Sequence, residues 1–145
     1  MAASNRETIL KALKTCLEGV TVANGYAIGV NEVKRGIHLP DEMPNRPALG
    51  FTNTKLMRKD LAGGWAEREL SILIYGYVDI QPGDYDNLDD LMQAVEQRLM
   101  SSTAWSYYAF TFIDDGTVYE GGAHDPVGYF DIQVRIQYEY DVEYP

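Results

Sequence analysis

The sequence predicts an α+β fold: a mixed, mainly antiparallel β-sheet with two main helices packed on one face and a long projecting β-hairpin. Two stretches, 4–20 and 86–99, place apolar residues at the three- and four-residue spacing of an amphipathic helix. Several others alternate apolar and polar residues, which is the period of a strand. The order is helix, two to three strands, helix, two to three strands, a pattern that suits antiparallel hairpins with segregated helices.

The first helix has its start written into "SNRETILKALKTCLEGV". Ser4 and Glu7 have the spacing of a capping box, in which each side chain satisfies an orphan amide of the first turn. Ile9, Leu10, Leu13, Leu17 and Val20 make one apolar stripe, and Gly19 sits where the helix should stop. "YAIGVNEV", residues 26–33, is expected as a short strand. "KRGIHLPDEMPNRP" follows, and its prolines and turn formers make it largely loop. "ALGFTNTKLM" and "WAERELSILIYGYVDI" are expected to pair around "RKDLAGG", with Arg58, Lys59 and Asp60 beside Gly63 and Gly64 at the hairpin tip. In the second of these strands Leu70, Ile72, Ile74, Gly76 and Val78 share a face. Leu73, Tyr75 and Tyr77 make the other face apolar too, so the strand is expected to be central and covered on both sides.

The second helix lies in "QPGDYDNLDDLMQAVEQRLMSS". Pro82 and Gly83 end the preceding strand, Asp86 or Asn87 caps, and acidic residues crowd the positive end of the helix dipole. Leu88, Leu91, Met92, Val95 and Leu99 form its buried stripe. "WSYYAFTFI" is expected as a strand, "DDG" at 114–116 as a turn, and "TVYE" as a short return. The last strand begins near Val127 and alternates almost perfectly. Phe130, Ile132, Val134, Ile136, Tyr138 and Tyr140 face one way. Tyr129, Asp131, Gln133, Arg135, Gln137, Glu139 and Asp141 face the other, so one side is core and the other wet.

A chain of 145 residues suits a single domain, 1–145, with a substantial core of its own. Its composition, 46% hydrophobic and 23% charged, is that of a soluble globular protein. Cys16 is the one cysteine, which excludes an intramolecular disulfide framework and fits a reducing compartment. The first residues lack the basic region and apolar run of a signal peptide, and no stretch approaches the roughly 20 apolar residues that span a bilayer. The expectation is a soluble intracellular protein with no membrane partner.

A net charge of −10 argues against a protein that grips DNA or anionic lipid, because phosphate binding needs clustered Lys and Arg. The charge is unevenly divided. Residues 1–78 hold 10 basic and 8 acidic side chains, net +2, and residues 79–145 hold 2 basic and 14 acidic ones, net −12. Two surfaces of opposite sign can meet between identical subunits.

Catalytic motifs are sparse. One cysteine and two histidines, His38 and His124, are too few for a structural zinc site of the usual kind. No nucleophile elbow, phosphate-binding loop or dinucleotide fingerprint occurs. His124-Asp125 is the best catalytic candidate and would belong to a small hydrolase or metal-dependent enzyme. Adjacent residues on an extended chain point in opposite directions, however, and Asp-Pro after two glycines is a common way to turn a chain. No cofactor or metal is expected.

The chain resembles the tail terminator (tail completion) proteins of long-tailed bacteriophages. The resemblance rests on the helix "ETILKALKTCLEGV", the loop into "PALGFT", the strand "ERELSILIYGYV", the helix "NLDDLMQAVEQRL" and the terminal strand introduced by "DPVGYFDIQVRIQYEY". It implies a non-enzymatic virion protein of the tail and neck, made in the host cytoplasm, that forms a homohexameric ring. Such a ring caps the head-proximal end of the tail tube, ends tube growth and offers a docking face to the head-tail connector. Viral DNA passes through its lumen without specific binding. The same segments suit another neck component, a stopper, adaptor or connector. Under this reading Lys55, Met57, Arg58, Lys59 and Trp65 of the hairpin are the candidate interface with a neighbour or the tube. Asp131, Gln133, Arg135, Glu139 and Asp141 are the candidate lumen face, in a hexamer of 6 × −10 = −60 formal charges.

Overall fold

A computed structural model describes residues 5–80, 85–101, 109–121 and 126–144, with backbone alone at 109 and 110. Helix α1 (Asn5–Glu18) leads to strand β1 (Glu32–Arg35), then β2 (Ala48–Asp60) and β3 (Trp65–Asp79). Helix α2 (Asp86–Met100), β4 (Ala109–Tyr119) and β5 (Val127–Asp141) complete the order, with short 3-10 turns at 22–24, 40–42 and 62–64. The strands form one five-stranded sheet in the order β1-β2-β3-β5-β4, so β3 is central. Only the β1–β2 pair is parallel; the other three are antiparallel. This is the expected α+β architecture.

Both helices pack on one face. Ile9, Leu10, Leu13 and Leu17 of α1 and Leu88, Leu91, Val95 and Leu99 of α2 join a core cluster with alternate residues of β3 and β5. The register explains which residues these are. Ile74 lies opposite Ile132, Ile72 opposite Val134 and Leu70 opposite Ile136, and directly opposed residues of an antiparallel pair share a face. The predicted stripe of β5 from Phe130 to Tyr140 is accordingly buried at every even position.

The helices also brace each other. Arg98 of α2 donates from Nε to the Cys16 carbonyl at 2.9 Å, supplying a cation to the C-terminal end of α1, which has none of its own in its last turn. A Cβ on Gly19 would fall 2.1 Å from Arg98 Nη2, so the glycine that ends α1 also makes room for the guanidinium.

Among the described residues the helix-free face of the sheet is covered at one end only. There Tyr75 and Tyr77 are buried with Met43 and Ala48 under the proline-rich loop, with Val127 and Tyr129 against them. The loop is tied down by phenol oxygens. Tyr75 accepts from the His38 amide at 2.8 Å and donates to the Gly36 carbonyl at 2.6 Å, while Tyr77 donates to the His38 carbonyl at 2.8 Å. Burial pushes the pKa of both phenols upward. Covering on both sides, expected for the whole of β3, thus holds for its Tyr75–Tyr77 end.

Several expectations need correction. The strand expected at 26–33 is instead β1 at Glu32–Arg35. Tyr26, Ile28 and Val30 pack against the main core, and Val30 and Asn31 donate to the Val20 and Pro47 carbonyls, so their alternation records loop packing rather than a ladder. The residue at the N-cap of α2 is Tyr85, with Asp86 and Asn87 already inside the helix. "DDG" is no turn: β4 runs through it to Tyr119, and the register slips between Ile113 and Gly116, which is a β-bulge. The reason is close approach, since a Cβ on Gly116 would lie 2.0 Å from the Asp131 carbonyl oxygen.

The β2–β3 hairpin pairs from Ala48↔Tyr77 to Asp60↔Ala66, with Gly63 and Gly64 at positive φ in its turn. It does not stand clear of the sheet as a two-stranded arm, because β5 pairs with β3 along its entire length, up to Trp65↔Asp141. Ser4 lies outside the described residues, and so do His124 and Asp125.

Candidate functional site

The uncovered end of the helix-free face gathers nearly all the candidate residues. Odd-numbered residues of β3 and β5 point to it, and after a bulge between Asn53 and Lys55 so do the odd residues of β2. Reading across the three strands gives rows: Lys55, Ser71 and Arg135; Met57, Glu69 and Gln137; Lys59, Glu67 and Glu139. Trp65 lies opposite Asp141 at the hairpin end. The hairpin and the wet face of β5, two separate candidates in the sequence, form one continuous surface. It begins with cations on β2 and passes to acids on β3 and β5.

Asp131 lies at the covered end, opposite Tyr75, and Arg58 is on the other side of the sheet. Arg58 lies opposite Arg68, whose guanidinium stacks over the Tyr140 ring at 4.6 Å on the helix side of the sheet. Two cations directly opposed are unfavourable, and Arg58 is held by Asp60 through contacts of 2.9 and 3.1 Å. A shallow depression of about 260 Å³ follows the strand margin, lined by Met57, Arg58, Lys59, Glu67, Glu69 and Gln137.

The wet side of β5 is more structured than a row of hydrated acids. Arg135 donates to both carboxylate oxygens of Asp114, at 2.7 and 3.2 Å, and lies 3.8 Å from Glu69. This two-pronged contact and the Glu69 charge keep the guanidinium firmly protonated. Gln137 donates to Glu69 at 3.2 Å, extending the network. Asp131 accepts from the Tyr129 hydroxyl at 2.6 Å and from the Thr117 amide at 3.0 Å, so it holds the β4 bulge in place. Burial, followed by the Asp131 contact, pushes the Tyr129 phenol pKa upward. Asp141 accepts from the Glu143 amide at 3.0 Å and turns the chain after β5. Gln133 and Glu139 are the exposed members of the predicted set.

Glu67, Glu69 and Asp114 belong to this surface and were not singled out from sequence. The alternation in "WAEREL" placed the first two on it once the register with β5 was known. Asp114 was hidden by its reading as part of a turn.

As for chemistry, His38 sits in the loop with Nε2 at 3.0 Å from the Arg35 carbonyl and Nδ1 at 3.9 Å from Glu42. Among the described residues no group of three or more His, Cys, Asp or Glu is placed to hold a metal ion. Among them, too, no helix is long and apolar enough to cross a membrane. A second shallow depression of about 220 Å³ is lined by Pro40, Tyr77, Tyr119, Val127 and Tyr129. No protein-family model matches the chain, and no curated protein matches it either.

Proposed function

We propose that the protein is a structural assembly subunit of a phage tail: it forms a ring on the head-proximal end of the tail tube, stops tube growth and docks the head-tail connector. The observation that carries this is the bipolar face of β2, β3 and β5. One face of the sheet is sealed by two helices, and the other keeps an uncovered end where Lys55 and Lys59 flank a field of Glu67, Glu69 and Glu139. A surface that changes sign across three strands suits contact with other copies and other proteins better than it suits a substrate pocket.

The charge supports the same reading. With Arg135 neutralised by Asp114, the exposed side of β5 offers phosphate no free cation among the described residues, so DNA can pass without being held. The segment order of helix, hairpin, helix and paired terminal strands is the order on which the proposed kinship with tail terminators rests.

Negative-stain microscopy of the purified protein added to isolated tail tubes tests the proposal. Decoration of the head-proximal tube end alone is the expected result. Binding to the portal side with bare tube ends would point to a stopper or adaptor instead. Turnover of a small substrate that is lost on His124→Ala would move the protein to a different class.

A further inference from the structure

The two margins of the sheet differ in charge and are bent at adjoining levels. On the β2 side, β1 covers Ala48–Phe51, and among the described residues no strand pairs with the outer edge of β2 from Thr52 to Asp60. That stretch carries Lys55, Arg58 and Lys59 against a single acid, Asp60, or 3 − 1 = +2. Asp60 already holds Arg58, and Lys55 and Lys59 form no ion pair among the described residues. Leu56 and Met57 are about half exposed beside them, at 47% and 49%.

The other margin is β4, the last strand of the sheet. It carries Asp114 and Asp115 and no cation, for −2. Arg135 takes Asp114, while Asp115 is exposed with no ion-pair partner among the described residues. Phe112 is 41% exposed next to this bulge.

Following the registers across the sheet shows that these features stand at adjoining levels. Phe112 pairs with Arg135, Arg135 with Ser71 and Ser71 with Lys55. The bulge of β2 between Asn53 and Lys55 lies at Ser71–Ile72 and that of β4 between Ile113 and Gly116 at Ile132–Val134, so the two adjoin at the Ile72–Val134 row. Direction matches as well. From β2 through β3 and β5 to β4 each step is antiparallel, so β4 runs opposite to β2. Two copies set side by side in the same orientation would bring β4 of one antiparallel to β2 of the next. Long unpaired edges of this kind invite strand addition unless something covers them.

We infer that the outer edge of β2, from Thr52 to Asp60, receives the part of β4 from Ala109 to Asp115 of a second copy as an antiparallel strand, with Lys55 beside Phe112 and next to the Asp114–Asp115 bulge of that copy. The occupant is this chain itself because the two margins complement each other in charge, height and direction. The contact joins two different patches, so repeating it closes a ring when the rotation fits. The inference rests on the ring reading above and specifies which edges build it.

Zero-length carbodiimide coupling of the assembled protein, with coupled peptides mapped by mass spectrometry, reads the contact directly. A Lys55–Asp115 amide between copies, present in oligomers and absent from monomer, is the expected product. Native mass then tests the charge. Lys55→Glu should weaken assembly about tenfold, a size expected for turning one rim attraction into a repulsion. Asp115→Lys should do the same, and K55E/D115K should recover most of the loss. Closed oligomers whose cross-links lie elsewhere, or a double variant no better than the singles, would overturn the edge assignment and leave the ring reading standing. A protein that stays monomeric both free and on tail tubes would overturn both.

Discussion

The Tyr75 ring lies directly over Gly50: a Cβ at that glycine would fall 2.1 Å from Tyr75 Cζ and 2.3 Å from its hydroxyl oxygen. The two residues are cross-strand partners on β2 and β3, and the ring covers the space that a side chain would need. Its hydroxyl is fixed at both sides, to the Gly36 carbonyl and the His38 amide, so the ring cannot swing away cheaply. Gly50→Ala is therefore expected to displace the phenol and loosen the 36–47 loop, at about 2–3 kcal/mol for overpacking plus lost hydrogen bonds. Tyr75→Phe keeps the packing and orphans two backbone groups, for about 1–3 kcal/mol. Urea denaturation gives both values, and hydrogen exchange at the His38 amide should speed up in both. An unchanged His38 exchange rate in Tyr75→Phe would show that the phenol does not anchor the loop.

A second close approach fixes the β4 bulge. The atom facing Gly116 is the Asp131 carbonyl oxygen, at 2.0 Å from an ideal Cβ, and it is backbone held in the β5 ladder. Gly116→Ala is expected to cost at least about 2 kcal/mol, near the upper part of the overpacking range. Asp115→Ala, on the exposed side of the same bulge, should change stability by less than about 0.5 kcal/mol. Thermal melts of the two variants provide the comparison. Equal effects would mean that the bulge depends on something other than the absence of a side chain at 116.

Much of this fold was legible in the sequence because its elements obey one period each. The even-numbered stripe of β5 and the 3.6-residue stripes of α1 and α2 all became core. What misled was local chemistry with two physical meanings. Asp-Asp-Gly serves a hairpin turn and a bulge alike, and the choice between them depends on whether a partner strand continues past it, which β5 does. Tyr26, Ile28 and Val30 alternate like a strand yet satisfy their burial from a loop. The candidate surface was legible as two separate patches. Its unity depended on the β3–β5 register, a long-range pairing that no local pattern specifies.

Cys16 gives the molecule a pH dependence with a definite sign. Burial is the main cause that raises its thiol from 9.0 to about 11, partly offset by the Arg98 charge and hydrogen bond. In the unfolded chain the thiol ionises near its ordinary value, while the folded protein keeps it neutral. Stability from this site is therefore fully present below about pH 9 and falls as pH rises from there through about 11, by roughly 2–3 kcal/mol at most. The Tyr75, Tyr77 and Tyr129 phenols, also raised, add losses of the same sign above pH 10. Melting temperature measured from pH 8 to 11 should drop progressively, and Cys16→Ala should flatten the part of the curve just above pH 9. An identical slope in that variant would remove the thiol from the account.

The exposed side of β5 yields the prediction most specific to the proposed ring. Gln133 and Glu139 point from the uncovered face and take no part in the Asp114–Arg135–Glu69 network, so substituting them leaves that network intact. If this face lines the lumen, Gln133→Lys with Glu139→Lys places two new cations per subunit along the path of DNA. Ring mass should be unchanged, since neither residue lies on the sheet margins. DNA binding, expected to be weak in the parent protein, should become measurable and steeply salt-dependent, because each phosphate neutralised releases condensed counterions. Fluorescence anisotropy of labelled duplex over a salt series provides the slope. Intact rings that still ignore duplex at low salt would mean that β5 turns its charged side to solvent or to another protein, and that the lumen is lined elsewhere.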